Sequence, residues 1–191
     1  SEIPSFLINM HSVSSEKEAI DYIARLNGVK PLFNQLEINI KEKESAGIVA
    51  QKFVYEHVLN DSRNIISGYP FSMSSVDTSA LFKDIFMKVN SLDIGQEIKD
   101  NLINDAKQAL NESVKPAYES LISLISELSD NYDQEDGVWR WENGEVFYDY
   151  ILKRTTTTNL SADEIHQIGL REVDRIHNEM IKIMDLVGFS G

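Results

Sequence analysis

The residues whose types and spacing could do chemistry are four histidines, a run of four threonines, and two tyrosines close to an arginine. His11, His57, His166 and His177 form no H-E-x-x-H pattern, which would set two imidazoles one helical turn apart with a glutamate as base. His166 and His177 are eleven residues apart, close to three turns, and so share a helix face. At about 1.5 Å rise per residue, however, roughly 16 Å separates them along the axis, too far to hold one ion. Cysteine is absent, which removes disulfides, thiolate zinc sites and cysteine nucleophiles. Neither a G-x-S-x-G elbow nor a glycine-rich phosphate loop occurs. What remains is Tyr148, Tyr150, Arg154, Thr155 to Thr158 and His166. One reading is a helix–loop–helix corner whose hydroxyls cap backbone groups. The other is an extended backbone with polar side chains facing a cleft, whose candidate residues are Tyr148, Arg154, Thr156, Thr157 and His166. No residue is assigned a catalytic or metal-binding role.

The elements that must hold these groups are legible around them. Asn143-Gly144 is a turn pair, and Ser161 with Glu164 makes a capping box that opens a helix. Ile165, Ile168, Val173, Ile176, Met180, Ile183 and Val187 carry that helix to a glycine cap at Gly188. The β-branched Thr155 to Thr158 predicts an extended segment, and Val138-Trp139-Arg140-Trp141 alternates as a strand would. Upstream, Ser15 and Glu18 form a first capping box before Ala19, Tyr22, Ile23 and Leu26. Gly28 to Pro31 interrupts, and Leu32, Phe33, Leu36 and Ile40 resume the helical face as far as Gly47. Phe53 to Ile66 and Leu81 to Val89 read as helices, with a loop over Gly68 to Thr78 between them. Ile94 to Tyr132 reads as a long helix, kinked or broken at Pro116. The expected fold is all-α: a multi-helix bundle with long, kinked helices and at most a minor β element. Residues 1–191 read as a single helical domain, with a helical core over 15–132 and the Trp/Thr-rich motif and last helix over 136–188.

The balance of 18 basic against 31 acidic residues leaves a net charge of −13, which makes nucleic acid and anionic membrane surfaces poor partners. No apolar run is long enough to span a bilayer. SEIPSFLINM lacks the basic start and apolar core of a signal peptide, and the absence of a first methionine reads as a cut or processed start.

From Trp139 the sequence runs through Gly144-Glu145, Phe147-Tyr148, Leu152, Arg154 and Thr156 to Thr158. It continues through Leu160, Glu164-Ile165-His166, Gly169-Leu170, Glu172-Val173, Arg175-Ile176 and Glu179-Met180. This pattern resembles the bacterial family catalogued as domain of unknown function 885, with four threonines where three are usual. Ala24-Arg25-Leu26, Ala46-Gly47 and Pro116-Ala117-Tyr118 agree with it, so the resemblance covers essentially the whole chain. It implies a large helical protein grouped with gluzincin-type zinc metallopeptidases, many of whose members carry a secretion or lipoprotein signal. The implied location is periplasmic or lipoprotein-anchored; these residues do not fix a compartment. The family's H-E-x-x-P-G-H-H motif lies beyond the region matched, so its metal ligands and catalytic glutamate have no positions here. The resemblance therefore implies a fragment that lacks the catalytic half and is inactive by itself, without a cofactor of its own, zinc belonging to the full-length protein. Its partners would be the rest of its own polypeptide and, in the full-length protein, a peptide substrate. The alternative is a helical protein-binding module with no enzymatic role.

Overall fold

Helix caps and apolar spacing build this chain almost entirely from helices. The computed structural model describes residues 2–73, 75–131 and 137–189. The helices are α1 (Glu2–Asn9), α2 (Glu16–Asn27), α3 (Val29–Ser45), α4 (Lys52–Ile65), α5 (Ala80–Asn90), α6 (Gln96–Ala109), α7 (Lys115–Asn131), α8 (Gly144–Thr156) and α9 (Ala162–Leu186). The chain divides into two compact units, Ser1–Gln134 and Glu135–Gly191. Tyr132 and Asp136, which bound the core and the C-terminal motif in the sequence reading, lie outside the described residues.

In the first unit α7 packs on α3 and α4, while α6 packs on α2 and α5. Between them lies a core that includes Tyr22, Leu26, Leu81, Ile85, Ala106, Leu110 and Leu128. The Ser15 hydroxyl accepts the Glu18 N–H at 3.3 Å, as the capping pattern predicts. The Glu18 carboxylate reaches one residue further back than a capping box requires, accepting the Ser14 hydroxyl and N–H at 2.6 Å each. Those bonds, the hydroxyl's first, hold the Glu18 carboxyl below its usual range.

Both proline interruptions are resolved by one side chain and one irregular turn. Pro31 falls in the first turn of α3, where a missing N–H is tolerated. Only Gly28 separates α2 from α3. A proline at 31 leaves the Asn27 carbonyl without its helical donor. The buried Ser113 hydroxyl supplies that donor at 2.9 Å and accepts the Lys30 N–H at 3.3 Å. Ser113 lies in a π-helical segment, Leu110–Val114, that joins α6 to α7. There the Lys115 N–H reaches the Leu110 carbonyl, and the wider turn precedes Pro116. The helical rod therefore runs on past Pro116 without a break.

Sequence patterning missed α1, whose Leu7 is buried in the core. It predicted an alternating strand over Val138 to Trp141, where the chain instead forms a 3-10 turn at Val138–Arg140. Four alternating residues with no neighbouring strand have no ladder to join. The β pairing seen among the described residues is a bridge between Tyr69 and Thr78, across a loop containing a cis Tyr69-Pro70 peptide. Gly68 makes that bridge possible. It has φ +80°, and a Cβ there would sit 2.9 Å from both the Asp77 carbonyl oxygen and the Ser79 nitrogen.

α1 is fastened by a histidine. The Arg25 guanidinium stacks over the Phe6 ring at 5.2 Å and approaches His11 Nδ1 at 2.6 Å. Because arginine can only donate, Nδ1 must accept, and the neutral imidazole donates from Nε2 to the Glu18 carbonyl at 3.2 Å. Burial first, then the Arg25 charge, lowers the His11 pKa; the Glu18 carbonyl bond opposes this, Lys88 adds to it, and Asp21 opposes it least. A histidine with a depressed folded pKa stabilises fully above its unfolded value, about 6.5, and less as pH falls through the folded value. The urea midpoint of the protein is therefore expected to fall as pH drops from about 7 to about 5. His11→Gln, which cannot titrate, should show a smaller fall; identical pH profiles would remove His11 as a cause.

Candidate functional site

The sequence-predicted cleft residues all belong to the second unit, on α8, α9 and the corner between them. α8 starts at Gly144, whose N–H donates to the Trp141 carbonyl at 2.9 Å, and Trp141 packs edge-on against Phe147 with centroids 5.6 Å apart. The expected extended threonine run is instead largely a helix terminus. α8 continues through Thr155 and Thr156, and Thr157 closes it in the left-handed region at φ 57°. β-branching is a weak preference, and here the side chains supply the bonds that let the helix reach this point.

Those bonds are specific. The Thr156 hydroxyl donates to the Leu152 carbonyl one turn back at 2.8 Å and accepts the Thr158 N–H at 3.3 Å. It also lies 2.9 Å from the Thr158 hydroxyl. Thr157 donates to the Thr156 carbonyl at 2.7 Å, and its own N–H caps Lys153 at 3.0 Å. Lys153 and Arg154 place positive charge at the negative end of α8. The chain then enters α9 through the predicted capping box. Ser161 accepts the Glu164 N–H, while the Glu164 carboxylate accepts the Ser161 N–H and hydroxyl at 2.8 Å each. Ser161's backbone bond first, then its hydroxyl, holds the Glu164 carboxyl below its usual range.

The geometry joins Thr156, Thr157 and Thr158 into one capped corner. Among the described residues it makes no hydrogen bond, ion pair or ring contact that links Tyr148, Arg154 or His166 to that corner. Tyr148 and Arg154 are six positions apart on α8 and point about 120° away from each other. Both are exposed, as is His166 in the second turn of α9. α9 runs unbroken through His166 and His177. Among the described residues, no group of three or more histidine, cysteine, aspartate or glutamate side chains converges as a metal site would require.

The polar constellation that sequence reasoning missed lies in the first unit. Asp84, 8% exposed, accepts the Tyr22 hydroxyl at 2.9 Å and the Lys88 ammonium at 2.8 Å. Lys88 also donates to the Leu7 and Ile8 carbonyls at 2.9 and 3.1 Å and lies 5.4 Å from the centre of the Tyr22 ring. Burial first, then the Asp84 charge, drives the Tyr22 hydroxyl pKa far up, so it stays protonated and donates to Asp84. The four-residue spacing of Asp84 and Lys88 is visible in the sequence, but their meeting with Tyr22, 62 positions away, is not. A groove of about 1020 Å³ opens beside this region, lined by Ile3, Phe6, Asp21, Arg25 and Leu32 among others.

Residues 1–191 match the sequence model of a family described as "Bacterial protein of unknown function (DUF885)". Among solved structures the chain is similar to "the putative lipoprotein from Colwellia psychrerythraea", with 26% identity and a TM-score of 0.88. That similarity covers 98% of this chain but 31% of the other, so this chain spans less than a third of that protein's length. No curated protein matches the chain significantly.

Proposed function

The chain belongs to the DUF885 family of bacterial proteins of unknown function, and on that premise we propose that it is a non-catalytic helical portion of a zinc-dependent, metallopeptidase-like protein. In this reading it forms the scaffold, or one wall of the cleft, for a catalytic part carried elsewhere in a longer polypeptide. The observation that carries the proposal is that these residues match 31% of a structurally similar chain over almost their whole length. The peptidase chemistry itself rests on the family resemblance of the Trp139 to Met180 motif. By the same reasoning the full-length protein is periplasmic or lipoprotein-anchored. The Colwellia protein's description as a lipoprotein favours this.

The test is bound zinc, measured by elemental analysis on the full-length protein and on this chain in parallel. Zinc in the longer protein alone is the expected result, and zinc in neither turns the reading to a protein-binding module. That second reading is favoured by the acidic balance of the sequence and by the uncovered apolar face of α9 within its own unit. Stoichiometric zinc in this chain would overturn the scaffold role.

If the α8–α9 corner walls the cleft, the triple replacement of Thr156, Thr157 and His166 by alanine in the longer protein should lower kcat/KM by about tenfold or more. A loss confined to KM would indicate groups that bind substrate and transition state alike. Unchanged kcat/KM removes all three from the site.

A further inference from the structure

α9 is a 25-residue helix in which no residue is buried. Val173, Ile176, Met180, Ile183 and Val187 nevertheless recur at alternating spacings of three and four, a seven-residue repeat about 21 Å long over the C-terminal part of the helix and its cap. Val173 and Met180 are 58% and 52% exposed. Leu170 and Met184 flank the seam on one side, with His177 at the same position between them. The opposite edge is closed by Arg175, which bonds Glu172 and Glu179 at 2.8 Å each. An apolar stripe of this kind on a helix faces the packed interior of a helical protein.

We infer that this face of α9 is an internal packing surface covered by further helices of the same, longer polypeptide. The inference rests on the proposed reading of the chain as part of such a polypeptide. The similar structure supplies the material, since more than two-thirds of that chain lies outside the match. Gly169, at the N-terminal end of the seam with nothing within 4 Å of the space a Cβ would fill, leaves room there for a partner backbone to approach closely.

Met180 reports the occupancy of this face directly, because methionine oxidation follows exposure. The experiment is peroxide oxidation of the longer polypeptide under monomeric conditions, followed peptide by peptide by mass spectrometry, with the same peptide in concentrated urea as reference. Met180 is expected to oxidise about tenfold or more slowly when folded, and at nearly the urea rate in the 191-residue chain. An unprotected Met180 in the longer polypeptide overturns the inference. Protection already complete in the 191-residue chain also overturns it. If that protection depends on concentration, the face belongs to a second copy; if it does not, other residues of these 191 cover it. Zinc measured on the same preparation keeps the two proposals apart. Protected Met180 without zinc retains the packing surface and removes the peptidase, and zinc with unprotected Met180 does the reverse.

Discussion

Asp84→Ala is expected to destabilise the first unit by about 3 kcal/mol, read from the urea midpoint by far-UV circular dichroism. Surface ion pairs are worth far less, but this one is enclosed: the Asp84 and Lys88 side chains are 11% and 20% exposed. Removing the carboxylate leaves the Lys88 ammonium with two carbonyls, those of Leu7 and Ile8, and no counter-charge. It also leaves the fully buried Tyr22 hydroxyl without its acceptor. Tyr22→Phe deletes the donor together with the bond, so its cost should be about 1 kcal/mol. The ordering is the informative result. Equal losses in the two variants would mean that the uncompensated Lys88 charge costs nothing here, and that the cluster is held by packing alone.

Gly144→Ala should disrupt the start of α8 at a cost of about 3 kcal/mol, the upper part of the range for overpacking. The added Cβ would fall on the Val138 carbonyl, which is backbone and cannot rotate away as a side chain would. The Val138–Arg140 turn must then move, carrying with it Trp141, which packs on Phe147 and lies under the Arg140 guanidinium at 4.8 Å. Both tryptophans of the chain are in this turn and the residue after it, so the near-ultraviolet circular dichroism of tryptophan should collapse. A native spectrum in the variant would show that the turn yields at little cost.

The contrast between these two sites follows what a sequence can encode. Capping, glycine termination and apolar periodicity act within a few residues, and they are legible as such. Ser161 and Glu164 close the predicted box, Gly47 ends the helix before it with φ +74°, and the Ile165 to Val187 pattern is one continuous helix. Proline was legible as an interruption but not in its outcome. The interruption at Gly28 to Pro31 does separate α2 from α3, whereas the π turn carries the helix past Pro116, and the Ser113 hydroxyl of that turn serves the backbone around Pro31, which requires α2 and α3 to meet it. Thr155 to Thr158 had the composition of an extended segment. Local hydroxyl-to-backbone bonds favoured a helix end instead, because intrinsic preferences among such residues differ by only a few tenths of a kcal/mol.

The sequence by itself determined the all-helical class, most helix bounds, the family, and the capping box that opens α9. These depend on spacings of four residues or fewer, or on a long matched motif. Tertiary structure alone decided that α1 exists as a packed element and that Tyr22 meets Asp84 and Lys88. It alone also decided that Arg25 forces a neutral tautomer on His11. Each of these requires groups distant in the chain to share a desolvated space, where an unpaired donor or charge is costly and an exact partner is therefore selected.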